Sequence, residues 1–153
     1  MKSGFFYFIK DEFYESLPDC GLMYNKDGEM HKRPCCYCFT WKDYFWMIPI
    51  SSRVEKYEKI YNHKLEKRGY CDTILFGYVN GRRSAFLIQN AFPVTEKYIQ
   101  EQYLVENGTV PVSVNKKTAA ALNAKVRKVV RLYEKGITIT LTNFDAIIDY
   151  LTR

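Results

Sequence analysis

Residues 35–56 read Cys-Cys-Tyr-Cys-Phe-Thr-Trp-Lys-Asp-Tyr-Phe-Trp-Met-Ile-Pro-Ile-Ser-Ser-Arg-Val-Glu-Lys. Two runs rich in aromatic residues, Cys35 to Trp41 and Tyr44 to Ile50, read as strands, and Lys42-Asp43 between them reads as a tight turn. Two strands joined so closely must run antiparallel, because a parallel pair needs a crossover of a dozen residues or more. The second strand runs directly into a helix expected from Ser52 to Arg68, with Gly69 as its stop. Val54, Tyr57, Tyr61 and Leu65 form the apolar side of that helix, and Lys56, Lys59 and His63 lie on the other. Ser52 and Glu55 match the S-x-x-E capping box.

Working outward, Thr73–Val79 and Arg83–Gln89 flank Asn80-Gly81, a strong short hairpin signal. Phe5–Ile9 is a further strand candidate. Asp11–Leu17 reads as a short helix ended by Pro18, residues 18–32 as loop with a turn at Asp27-Gly28, and Glu96–Tyr103 as another short helix. Val105–Asn115 reads as loop. At the C-terminus Phe144, Ile147, Ile148 and Leu151 follow the i, i+3, i+4, i+7 rule, so a helix is expected over Asn143–Leu151 with Thr142 as its cap. About five strands interleave with helices and several joins are tight. The expectation is a single α+β domain spanning residues 1–153. Its core is a curved, mostly antiparallel sheet, in the limit a small barrel, surrounded by helices.

Composition bounds the function. Of 153 residues, 47% are hydrophobic and 26% charged, ordinary values for a globular fold. Eighteen apolar residues never run together, so a membrane helix is not expected. The brief apolar run Phe5–Ile9 meets charge again at Lys10, and the chain is expected in the cytoplasm. Five cysteines, an odd number, argue against a disulfide framework. Cys35, Cys36 and Cys38 lack zinc-knuckle spacing and read as small buried hydrophobes. Neither a P-loop nor a metal-binding carboxylate cluster is present, and no cofactor or metal is expected.

The formal charge is +6, and it is concentrated. Lys116, Lys117, Lys125, Arg127, Lys128, Arg131 and Lys135 are opposed only by Glu134 in their segment, an excess equal to that of the whole chain. The segment reads as a helix ending at Gly136, with Leu122, Val126, Val129 and Tyr133 as its buried stripe. A cationic face with few acidic partners at i±4 suits a polyanion, and phosphate contacts supply affinity without sequence information.

The segment best placed for chemistry is residues 51–56. Ser51, Ser52, Arg53 and Lys56 gather where a helix start offers free N–H groups and a partial positive charge. RNA carries its own nucleophile, the 2′-hydroxyl. Its cleavage needs a group to take that proton, a donor for the leaving 5′ oxygen, and positive charge on the transition state. Ser51 and Ser52 are candidates for holding the phosphate, and Arg53 and Lys56 for stabilising charge. Lys56 is also a candidate for moving a proton, and His31, in the loop before Arg33-Pro34, for joining it.

Several of these features resemble one family. Phe6-Tyr7-Phe8-Ile9 followed by Phe13 and Leu17 is similar to the opening F-Y-x-I-x-x-x-[FY]-x-x-x-L of the type III toxin–antitoxin toxins, the ToxN/AbiQ family. Arg33-Pro34 resembles that family's basic-Pro entry to its next strand, and Pro49-Ile50-Ser51-Ser52 its Pro-Leu-Ser/Thr-Ser signature. The CptN branch is the nearest in pattern. The resemblance implies a metal-independent endoribonuclease that leaves a 2′,3′-cyclic phosphate, on a compact fold related to the Kid/MazF toxins. It also implies inhibition by a small structured antitoxin RNA, a pseudoknot cut from tandem repeats by the toxin itself and held in a closed protein–RNA assembly. Cellular or phage RNA would be the substrate. Where the family has Pro and then Lys after the hydroxyl pair, this chain has Arg53 and Val54, so the basic role falls to Lys56 or to Arg53. The family's loop Tyr is replaced by His31. Candidate RNA-contacting residues are Lys32, Arg33, Lys59, Lys116, Lys117, Arg127, Lys128, Arg131 and Lys135. A non-catalytic RNA-binding module is the alternative.

Overall fold

The computed structural model describes residues 1–24 and 33–153. Nine strands lie among them: β1 (Phe6–Ile9), β2 (Cys35–Trp41), β3 (Tyr44–Ser51), β4 (Leu75–Val79), β5 (Arg82–Phe86), β6 (Phe92–Val94), β7 (Ile99–Gln102), β8 (Leu104–Val105) and β9 (Val110–Pro111). The four α-helices are α1 (Asp11–Glu15), α2 (Val54–Arg68), α3 (Lys116–Glu134) and α4 (Phe144–Leu151). The main sheet runs β4-β5-β3-β2-β1-β7, with β6 beside the first half of β3. Its described pairings are all antiparallel. The expected α+β class and antiparallel sheet are therefore observed.

Register divides the sheet into two faces. Phe6 pairs with Cys36, Cys36 with Ile48, and Ile50 with Phe86, so these residues share one face. Against it α3 lays Leu122, Val126, Val129 and Val130, each at most 4% exposed. Burying side chains of this kind stabilises the fold by roughly 1.5–3 kcal/mol each before entropy is charged. The opposite face carries Tyr7 and Cys35 at one end and Ser51, Ala85 and Phe76 at the other. There α1 covers the first group with Phe13 and Tyr14, and α2 covers the second with Tyr57. α4 reaches both cores, Phe144 toward α3 and Ile147 toward α1.

The sheet is not closed into a barrel. Its path ends on β4 and β7, which do not pair with one another, and the apolar stripe of α3 packs among side chains of β1 to β5, in the space that closure would need. Four local expectations also change. Glu96–Tyr103 forms only one 3-10 turn (Glu96–Tyr98) and then strand β7, because β1 has a second edge to satisfy and β7 pairs with it. The expected loop after Val105 contains the small β8–β9 hairpin. β6, only three residues long and containing Pro93, carries no periodic signal of its own. The cap of α4 is Asn143, whose side chain accepts from the Ala146 N–H, while Thr142 donates its hydroxyl to the Ala91 carbonyl. Among the described residues no helix is long and apolar enough to cross a membrane.

Candidate active site at the turn between β3 and α2

The chain leaves β3 at Ser51 and enters α2 at Val54. The Val54 N–H donates to the Ser52 carbonyl at 2.9 Å across Arg53, whose φ −79° and ψ 60° make this an inverse γ-turn. The Arg53 N–H donates to the Ser51 Oγ at 3.2 Å. Ser51 is thus buried and its oxygen organises the turn.

The expected capping box does not form. With its carbonyl committed to the γ-turn, Ser52 stands one residue outside the helix, and the N-cap position falls to Arg53, which makes no side-chain cap bond. Glu55 is then the second helical residue rather than the third, out of register for the reciprocal bond. The consequence for chemistry is favourable. The Ser52 hydroxyl is not spent on capping, and Ser52, Arg53 and Lys56 are all exposed. They line a cleft of ≈ 590 Å³ with Val54 and Glu55. Lys56 holds its ammonium 5.2 Å from the centre of the Tyr57 ring, and Tyr57 is fixed in the core beside Ala85. Lys59 is exposed one turn further along α2.

Arg33, one of the expected RNA contacts, engages backbone carbonyls on two sides. Its Nη1 donates to the Ile50 carbonyl at 2.7 Å and its Nε to the Tyr24 carbonyl at 3.3 Å. The guanidinium therefore clamps the end of β3 just before the turn. His31 and Lys32 lie outside the described residues.

Sequence reasoning passes over Arg83. Ser51, the last residue of β3, pairs with Ala85, and Arg83 stands two residues before Ala85 on β5. The Arg83 guanidinium lies over the Phe76 ring and bonds to Glu58 of α2. The available signal was the Asn80-Gly81 hairpin, but only the pairing of β5 with β3 shows which end of the molecule it reaches.

The basic helix α3 runs from Lys116 to Glu134, capped by Asn115, whose side chain accepts from the Thr118 N–H at 2.7 Å. Lys116, Lys117, Arg127, Arg131 and Lys135 are exposed, and the Arg127 guanidinium stacks 4.3 Å over the Phe39 ring. The apparent lack of acidic partners is corrected by tertiary structure. Asp72, remote in sequence, takes Lys128 at 2.5 Å and Lys125 at 3.4 Å. The Lys128 hydrogen bond, aided by the Lys125 charge, holds the Asp72 carboxyl below its ordinary range, and Asp72 in turn raises the Lys128 ammonium. The five cysteines are buried and unpaired with one another. Burial pushes the Cys35 thiol up to about 12, so these thiols behave as packing groups.

No protein-family model and no curated protein matches the chain. Its structure is similar to that of AbiQ, a lactococcal anti-phage endoribonuclease belonging to the type-III toxin–antitoxin system. The TM-score is 0.67, with 96% of this chain and 94% of that chain covered at 14% sequence identity. The likeness is one of fold, over almost the full length of both molecules, and it agrees with the fold that the sequence motifs implied.

Proposed function

We propose that this chain is the endoribonuclease toxin of a type III toxin–antitoxin system, cutting RNA with a sequence preference and without a metal. The observation that carries the reading is the exposed Ser52, Arg53 and Lys56 cluster on a rigid strand-to-helix turn. The AbiQ-like fold supports it.

The 2′-oxygen attacks the adjacent phosphorus, the bond to the 5′ oxygen breaks, and a 2′,3′-cyclic phosphate remains. Ser52 and the first N–H groups of α2 hold the phosphate, while Arg53 neutralises charge as it builds on the phosphoryl oxygens. Lys56 sits one helical turn away and gives a proton to the leaving 5′ oxygen, a task an arginine performs poorly. His31 is assigned the 2′ proton on chemistry alone. Ser51 and Arg33 are positioning residues, acting through the turn rather than on the phosphate. A structured pseudoknot RNA, excised by the same site from a repeat precursor, is the proposed inhibitor in a closed assembly.

The test is incubation of purified protein with cellular RNA in EDTA, followed by analysis of the 3′ ends. Cleavage to cyclic phosphate is expected. Ser52→Ala and Lys56→Ala should each lower kcat by about 10²–10³-fold, the loss typical of removing one transition-state donor. Because both side chains are exposed, stability should change by no more than about 0.5 kcal/mol. Intact RNA from well-folded wild type would refute the enzyme and leave the RNA-binding module, for which the exposed cations of α3 are the supporting observation.

A further inference from the structure

The far end of α2 holds a second cleft. It has a volume of ≈ 350 Å³ and lies between the last turns of α2, the Tyr70–Thr73 segment, α3 and the Thr138–Thr140 segment. That is within the range of small-molecule sites. Leu132, Ile139 and the Tyr70 ring give it apolar lining. Three cations border it: Lys64, Arg68 and Lys128. Asp72 is the one carboxylate in the lining, and it is already shared between Lys128 and Lys125. Half-buried Lys64 donates to the Thr73 hydroxyl at 2.6 Å. Among the described residues neither Lys64 nor Arg68 has an ion-pair partner.

A basic residue in the last turn of a helix complements the helix dipole, which accounts for Arg68 at the end of α2. It does not account for Lys64, one turn earlier and drawn inward, nor for Lys128 reaching in from another helix. Nor does it account for Tyr70, 53% exposed at the lip with the Lys128 ammonium 5.6 Å from its ring centre. The Tyr70 ring and the two cations without a carboxylate partner among the described residues, Lys64 and Arg68, together match parts of a nucleotide: a base to stack and a phosphate to neutralise.

The cleft is also connected to the turn. Lys56, Lys59, His63 and Lys67 are all exposed and fall within about 80° of arc on α2. They form a track of three lysines and a histidine along the helix, with exposed Glu66 at its border. Lys64 is eight residues beyond Lys56, about 12 Å along the axis.

We infer that this cleft is a nucleotide-binding site, taking one base and its phosphate from an RNA strand that runs from the turn along α2. The identity of the strand as substrate or inhibitor rests on the function proposed above; the chemistry of the cleft does not.

The test compares wild type with the Arg68→Glu/Tyr70→Ala double variant, and uses Lys10→Glu as a charge reversal outside both the cleft and the track. Each protein is titrated with the four nucleoside 5′-monophosphates, followed by amide NMR shifts of Thr73, Thr138 and Thr140. Each is also titrated with a 15-nucleotide single-stranded RNA carrying 2′-O-methyl groups, followed by fluorescence anisotropy. That RNA cannot be cut, so the result does not depend on whether the chain is a ribonuclease. The expected result is a loss of RNA affinity of about tenfold or more in the double variant, the effect of removing one stacking face, with Lys10→Glu near wild type. Monophosphate shifts that vanish in the double variant while RNA affinity stays unchanged would overturn the RNA strand as occupant and leave a cleft for a free nucleotide alone. The inference is overturned if neither ligand distinguishes the double variant from wild type, or if Lys10→Glu weakens RNA binding equally.

Discussion

Asp72 shows how one residue reshapes a cationic surface. It sits in the segment between α2 and β4 and draws Lys125 and Lys128 of α3 onto itself. Its carboxyl titrates lower in the folded chain than in the unfolded one, chiefly through the Lys128 hydrogen bond. The unfolded state therefore binds more protons in the acid range, and stability rises with pH there. The contribution is complete above the ordinary aspartate value of 3.8 and is lost as the pH falls through the lowered folded value. Asp72→Asn should remove that part of the acid sensitivity, so denaturant midpoints measured from pH 6 down to pH 2 should converge with wild type at the acid end. Curves that stay parallel would show that the ion pair contributes nothing. Ser51 and Arg33 illustrate the same scale. In both, a polar group engages the backbone: the Ser51 Oγ accepts from the Arg53 N–H, and the Arg33 Nη1 donates to the Ile50 carbonyl.

At the scale of elements, α3 combines two signals. Its buried stripe was legible because an amphipathic helix repeats every 3.6 residues whatever it packs against. Leu122, Val126 and Val129 are buried as expected, and Val130 joins them while Tyr133 stays half-buried. Its charged face was legible as composition but not as a surface, because the partners of a surface charge lie in other elements. Exposed Lys117, Arg131 and Lys135 remain open to a polyanion, whereas Lys128 is partly neutralised. Reversing Lys117, Arg131 and Lys135 to Glu should weaken single-stranded RNA binding. It should also flatten log K against log salt by about 0.7 for each phosphate that the helix no longer neutralises. Anisotropy at several salt concentrations measures this, and an unchanged slope would make the helix a bystander.

At the scale of the whole molecule, distant segments meet near Gly21. The Asn90 side chain donates to the Gly21 carbonyl, the Asn143 N–H to the Cys20 carbonyl, and the Leu141 N–H to the Gln89 carbonyl. Gly21 has φ +77°, and a Cβ there would lie 2.1 Å from the Leu141 carbonyl oxygen. The obstacle is backbone, which cannot swing aside as a side chain can. Gly21→Ala should cost about 3 kcal/mol or more, since strain at positive φ and overpacking add. Chemical denaturation measures the loss, and a change below about 1 kcal/mol would show that the 20–22 and 141–143 segments are not locked together.

The amino-acid sequence by itself determined the hairpin of β2 and β3, the β4–β5 hairpin at Asn80-Gly81, the two long helices and their apolar stripes. It also marked residues 51–56 as the place where hydroxyls and cations converge. Each of these is written in periodicity or turn chemistry within a few residues. Tertiary structure alone decided that the sheet stays open around α3, that Ile99–Gln102 becomes a strand on the edge of β1, that Arg83 of β5 bonds to Glu58 of α2, and that Asp72 answers the lysines of α3. The physical reason is range. Local propensity is set by neighbours in the chain, whereas strand edges, charge partners and clefts are set by groups dozens of residues away, brought together only when the apolar faces are buried.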